Sequence, residues 1–139
     1  FDGKFTTLIS VALALSLIQI VLGTQVRQFV DEQVKVLGDG QIGLALQNPD
    51  VAFYIHRSFS LLVLLVNVFL FIRNRKLKLG FGKMNWVISL IGLEIATGVI
   101  MFKRGFPLGS QAAHLVIASL LFGMQFYLLL EAKSAKNTR

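Results

Sequence analysis

Two histidines, His56 and His114, are the only imidazoles in the chain, and each stands in the opening turns of a long apolar segment. One other membrane-length segment separates these two, so both rings are expected near the same face of a bilayer. Two neutral imidazoles at one depth offer the axial donors that a six-coordinate haem iron takes. Two side chains are too few for a closed zinc site, which wants four ligands, whereas a haem brings its four equatorial nitrogens with it. A lone histidine at a helix end is ordinarily explained by snorkelling to the headgroups. Two at matching positions, with no third anywhere, favour metal ligation.

Other residues could serve such a group. Arg27 and Arg57 lie close to the same outer boundary, where an arginine fork can pair with carboxylates such as haem propionates; either could instead face lipid phosphates, as Lys103 and Arg104 are expected to do. Glu94 falls in mid-segment, where a charged carboxylate costs about 2.5–3.5 kcal/mol on insertion scales. It is expected to be neutral or hydrogen-bonded, either as a weak catalytic candidate beside a cofactor or as a polar link to Gln19 or Gln125. Gly23, Gly92, Ala96, Gly98, Ser119 and Gly123 supply small faces, which suit close helix packing and a flat macrocycle equally well.

The segments that must position these groups are four apolar blocks, roughly 5–23, 51–72, 85–102 and 111–130. Each approaches the 17–25 residues that cross about 30 Å of hydrocarbon. With 55% hydrophobic residues in a chain of 139, the composition is that of a membrane protein rather than a soluble domain. The expected architecture is an all-α bundle of four transmembrane helices, forming one domain over residues 1–139. Phe81, Trp86 and Tyr54 read as interface aromatics.

The net charge of +7 is distributed for a membrane, not for nucleic acid. Arg73, Arg75, Lys76, Lys78 and Lys83 crowd one short connection without an acid, and Lys133, Lys136 and Arg139 follow the last block. Basic short loops mark the cytoplasmic side, which puts both termini inside and both histidines outside, in a bacterial plasma membrane. The absence of cysteine excludes disulfides, thiolate haem ligation and iron–sulfur clusters. No nucleophile elbow or phosphate loop is present, and Gly38-Asp39-Gly40 is a turn signal. A chain that opens on Phe1 is expected to be a processed or partial product of a longer protein.

The blocks repeat. His56 is followed eleven residues later by Asn67, and His114 eleven residues later by Gln125, about three helical turns in each case. The first and third blocks align Gln19 with Glu94 and Gly23 with Gly98. Two helical hairpins of one design, related by an axis near the membrane normal, would bring the histidines to equivalent positions. The first hairpin differs in its longer outer loop, about 24–50.

Gly23-Thr24-Gln25-Val26-Arg27, His56-Arg57, Glu94 through Gly98, and His114 occur in an order and spacing that resembles the haem A synthase family. That family has two four-helix halves, each with an outer histidine pair, and oxidises a methyl of haem O to the formyl of haem A. The resemblance covers nearly the whole chain as one half. In the catalytic half an acid typically precedes the first histidine by three positions; here Phe53 stands there, and the cysteine-containing outer loop is missing too. The resemblance therefore implies the carboxy-terminal half, holding a haem b, with His56 and His114 as axial ligands and Arg27 and Arg57 as propionate partners. Catalytic residues do not carry over. Implied partners are the bilayer, a second four-helix half or second copy, and a respiratory oxidase or haem O synthase. Two other classes stay open: a cytochrome b-type electron-transfer subunit, and a structural membrane subunit without haem.

The charge asymmetry generates a test. Cysteines placed singly at Asp39 and Lys76 are expected to differ towards an impermeant thiol reagent on intact cells, with only Asp39→Cys labelled. Labelling at Lys76→Cys alone would reverse the topology.

Overall fold

A computed structural model describes residues 3–38, 42–44, 49–106 and 109–137, the last three by backbone alone. Four helices account for most of it: α1 (Gly3–Leu37), α2 (Val51–Lys76), α3 (Lys83–Arg104) and α4 (Ser110–Asn137), with a short 3-10 turn at Ile42–Leu44. All four are long and apolar enough to cross a membrane, and no strand occurs among the described residues. The chain is an all-α, four-helix integral membrane protein. Helix α1 packs most closely on α2, and α3 on α4; α1 against α4 and α2 against α3 close the ring.

Local chemistry explains the ends. Asp50 caps α2, its carboxylate accepting from Phe53 N at 3.1 Å, which satisfies one of the orphan donors of the first turn. Beyond Lys76 the chain reverses through Lys78 (φ 51) and Gly80 (φ 79). The buried side chain of Asn74 clamps this turn: its Nδ2 donates to Phe81 O and its Oδ1 accepts from Phe81 N, both at 3.1 Å. The α3 helix stops at Gly105, which takes the left-handed conformation (φ 67) that glycine adopts without a Cβ penalty.

Two expectations change on contact with the structure. The first apolar block ends near 23, but α1 continues to Leu37 and converts about half of the anticipated outer loop into helix. Its 35 residues run about 50 Å at 1.5 Å per residue, beyond the ~30 Å of hydrocarbon. The cause is a helical apolar stripe within a polar stretch: Val26, Phe29 and Val30 keep one face inward, and Val30 and Phe53 bury together under Ile42 and Phe106. Asp39 and Gly40 of the turn signal lie outside the described residues. Phe81 is not an interface aromatic but stacks on Phe5, ring centroids 5.1 Å apart, because Asn74 holds its backbone inward. Trp86 and Tyr54 do face outward.

The polarity of the bundle is that of a protein in lipid. Large apolar side chains such as Leu61, Leu65 and Leu120 are exposed, while Ser16, Asn67, Asn74 and Gln125 are buried. The main apolar core fills the half of the bundle that contains the α2–α3 turn. Phe5 stacked on Phe81 and Lys83 bonded to Glu131 at 2.7 Å show that the amino terminus, the basic turn and the end of α4 share that half.

The hairpin repeat is visible in the packing. Val63, Asn67, Leu70 and Asn74 are buried on α2; their counterparts 58 positions on, Leu121, Gln125, Leu128 and Ala132, are buried on α4. Ile9, Ala12 and Ser16 of α1 correspond in the same way to Met84, Val87 and Ile91 of α3. The equivalent amides meet across the axis, Gln125 Nε2 donating to Asn67 Oδ1 at 3.0 Å, while Asn67 Nδ2 donates to Val63 O.

Single replacements Asn67→Leu and Gln125→Leu are each expected to cost about 1 kcal/mol, the scale of interhelical hydrogen bonds in membranes. The double Leu variant should cost less than the sum, because no amide is left unpaired. Thermal unfolding in detergent measures this; strictly additive losses would mean that the bond contributes nothing.

Candidate functional site: two histidines on two glycines

Above the amide layer, each hairpin places a histidine ring on the backbone of its partner helix. A Cβ built on Gly23 of α1 would lie 3.3 Å from His56 Cε1, and one on Gly98 of α3 would lie 3.6 Å from His114 Cε1. The two pairs are those aligned by the sequence repeat. The rings are near enough to each other to interact electrostatically. Of the other small residues, Gly92, Ala96, Ser119 and Gly123 are exposed, and a Cβ on Gly92 or Gly123 would meet nothing within 4 Å.

The polar residues one turn below complete the correspondence. Gln19 Nε2 donates to the backbone carbonyl of His56 at 2.9 Å. Its counterpart Glu94 sits with Oε1 3.4 Å from His114 Nδ1, a close approach without the alignment of a hydrogen bond. The expected alternative, in which Glu94 links to Gln19 or Gln125, does not occur: Gln19 is drawn to α2 and Gln125 to Asn67. Thr97, which sequence reasoning passed over, bonds His114 Nδ1 through Oγ1 at 2.6 Å. A threonine one position before the histidine-bearing glycine was the available signal.

The end of the bundle beyond the histidines is apolar. Phe53 stacks on Phe102 at 5.3 Å between centroids and 22°, so the position three before His56 belongs to the cluster of Val30, Val26 and Phe106. Arg27 and Arg57 are exposed at this end, with the Arg57 guanidinium 5.9 Å from the centre of the Tyr54 ring. Among the described residues, no three His, Cys, Asp or Glu side chains gather as a metal-ion site.

With this geometry in place, comparison with known proteins is specific. Residues 2–126 match the profile of the cytochrome oxidase assembly protein family. The chain belongs to the haem A synthase family. The match runs through all four helices and includes both histidine–glycine pairs. No curated protein and no solved structure matches the chain. Membership in the family ties the chain to cytochrome oxidase assembly and haem A synthesis.

The two glycine contacts differ in tolerance. A 3.3 Å approach is tighter than ordinary contact, whereas 3.6 Å is ordinary. Gly23→Ala is therefore expected to displace the His56 ring and lower the unfolding temperature, and Gly98→Ala to be accommodated. Imidazole resonances of ¹⁵N-histidine-labelled protein, with thermal unfolding, distinguish them; equal responses would mean that the rings do not rest on these glycines as described.

Proposed function

We propose that this chain is a haem-holding module of a haem A synthase-type protein, in which His56 and His114 are the axial ligands of one b-type haem. The observation that carries this reading is the paired histidine–glycine contact. Two imidazoles at equivalent positions of a twofold scaffold, each with its Cε1 close to a glycine of the neighbouring helix, suit a flat and nearly symmetric group. The residues fit a haem better than a bare ion. Two imidazoles satisfy only half of a zinc site, but they complete a macrocycle that brings its own equatorial donors.

A b-type haem, when bound, supplies a one-electron iron couple. The chain's own residues account for the rest of the site. The apolar stack of Phe53 and Phe102, with Val30 and Val26, limits water at the outer edge. Arg27 and Arg57 lie at the same end and carry the charge that propionates require. Glu94 approaches His114 from the Nδ1 side, which suits a residue behind a ligand rather than one facing a substrate.

Phe53 supports the comparison with the carboxy-terminal half of the family, since a buried, stacked phenylalanine offers no carboxylate where the catalytic half has its acid. In this reading the chain pairs with a second four-helix unit, and it lies in the bacterial plasma membrane with the basic turn inside and the histidines outside. Partners such as a respiratory oxidase or a haem O synthase follow from the family's role.

Reduced protein loaded with iron protoporphyrin IX is expected to show low-spin b-type bands, because strong-field imidazole on both faces pairs the iron's d electrons. His56→Ala or His114→Ala should each abolish that signature, leaving high-spin or absent haem. The helices should still form, since neither ring contributes much apolar burial. Unchanged spectra in both variants would remove the ligand assignment.

A further inference from the structure

The scaffold is twofold, but the environments of the two histidines are not. Behind His114, Thr97 donates its one hydroxyl proton to the Glu94 carbonyl oxygen at 3.0 Å. The Thr97 oxygen therefore meets His114 Nδ1, 2.6 Å away, as an acceptor. This network assigns the proton of neutral His114 to Nδ1 and leaves the Nε2 lone pair for a ligand role. The Glu94 carboxyl group, with Oε1 at 3.4 Å, stands on the same side. In the first hairpin the residue corresponding to Thr97 is Leu22, which has no polar atom. The backbone carbonyls of Gln19 and Glu94 face the His56 and His114 rings alike, so the difference lies in the side chains: Nδ1 of His56 is buried with no hydrogen-bond partner among the described residues.

We infer that Thr97 is a positioning residue that fixes the tautomer and orientation of His114 and makes it the stronger donor of an unequal pair. The inference rests on the ligand assignment proposed above. A hydrogen bond at the distal ring nitrogen raises the basicity of a ligating histidine and holds its plane. A more basic donor favours the ferric over the ferrous iron, so the Thr97 bond lowers the midpoint potential of the bound group. His56, resting on Gly23 without such a bond, is the weaker donor and the one that exogenous ligands displace first.

The test uses the full chain in detergent, loaded with iron protoporphyrin IX, and reads midpoint potential and ferric electron paramagnetic resonance g values. Thr97→Val keeps the shape and removes the acceptor. It is expected to retain low-spin haem but weaken the ferric-to-ferrous preference by roughly tenfold, within the range for lost outer partners of a metal-bound histidine. For a one-electron couple that is a rise of about 59 mV. Thr97→Ser restores the hydroxyl and should return both readouts to the wild-type values, whereas Leu22→Thr places a hydroxyl behind His56 and should shift the potential downward. An unchanged potential in Thr97→Val, or equal shifts in Thr97→Val and Thr97→Ser, would overturn the positioning role while leaving both ligands in place. Wild-type protein that takes up no low-spin haem would instead remove the ligand assignment itself, and this inference with it.

Discussion

The rest of the structure depends on the close approach of each imidazole, through Cε1, to a helix backbone at a glycine. A Cβ on Gly23 would lie 3.3 Å from the His56 ring, tighter than ordinary contact, so that glycine sets how closely the first hairpin closes, whereas the 3.6 Å at Gly98 would be ordinary contact with the His114 ring. Once the rings are seated, the rotation of α2 against α1 and of α4 against α3 is set. That rotation turns Asn67 and Gln125 towards the axis, since each lies about three turns below its histidine on the same face. It also turns Leu61, Leu65 and Leu120 outward. Where apolar surface is at no disadvantage outside, close backbone approach and polar links between helices decide the packing.

The bundle is layered along its long direction. An apolar core around Phe5, Leu70, Met84 and Leu128 fills one half. The amide pair follows, then the histidines on their glycines, and then the cluster of Val30 and Phe53 at the far end. The histidine layer is thus held between two apolar regions, which keeps its polar groups few and their partners specific. The extension of α1 past the first apolar block is what builds that cluster, because without Val26, Phe29 and Val30 the face of Phe53 would lack cover. The Asn74 clamp does the corresponding work at the other end by bringing Phe81 onto Phe5.

A twofold frame with unequal occupants is a common outcome of duplication, and here the inequality is confined to a few side chains. Gln19 and Glu94 occupy one position in the two hairpins, yet Gln19 serves a backbone carbonyl and Glu94 approaches a ring. Leu22 and Thr97 occupy another. These differences leave helix packing intact, as the matching buried positions show, and alter only what stands behind each imidazole. The frame and the chemistry can therefore vary separately.

Much of this was readable from the sequence because it depends on properties local to one segment. Four spans follow from the length of apolar runs, the basic turn from charge, and the correspondence of His56 with His114 and of Gly23 with Gly98 from spacing along single helices. Where a helix ends was less readable, since hydropathy falls at the membrane boundary while the helical stripe of Val26, Phe29 and Val30 continues beyond it. Which residues meet across the bundle was not readable at all. Gln125 chose Asn67 rather than Glu94, Phe81 turned inward, and Thr97 reached His114, because such pairings depend on the rotation and depth of neighbouring helices. Sequence alone determined which residues share a face of one helix. Only the tertiary structure decided which faces look at one another, because that choice is made by the close approach of two backbones at a glycine and by the few polar atoms that must find partners in the interior.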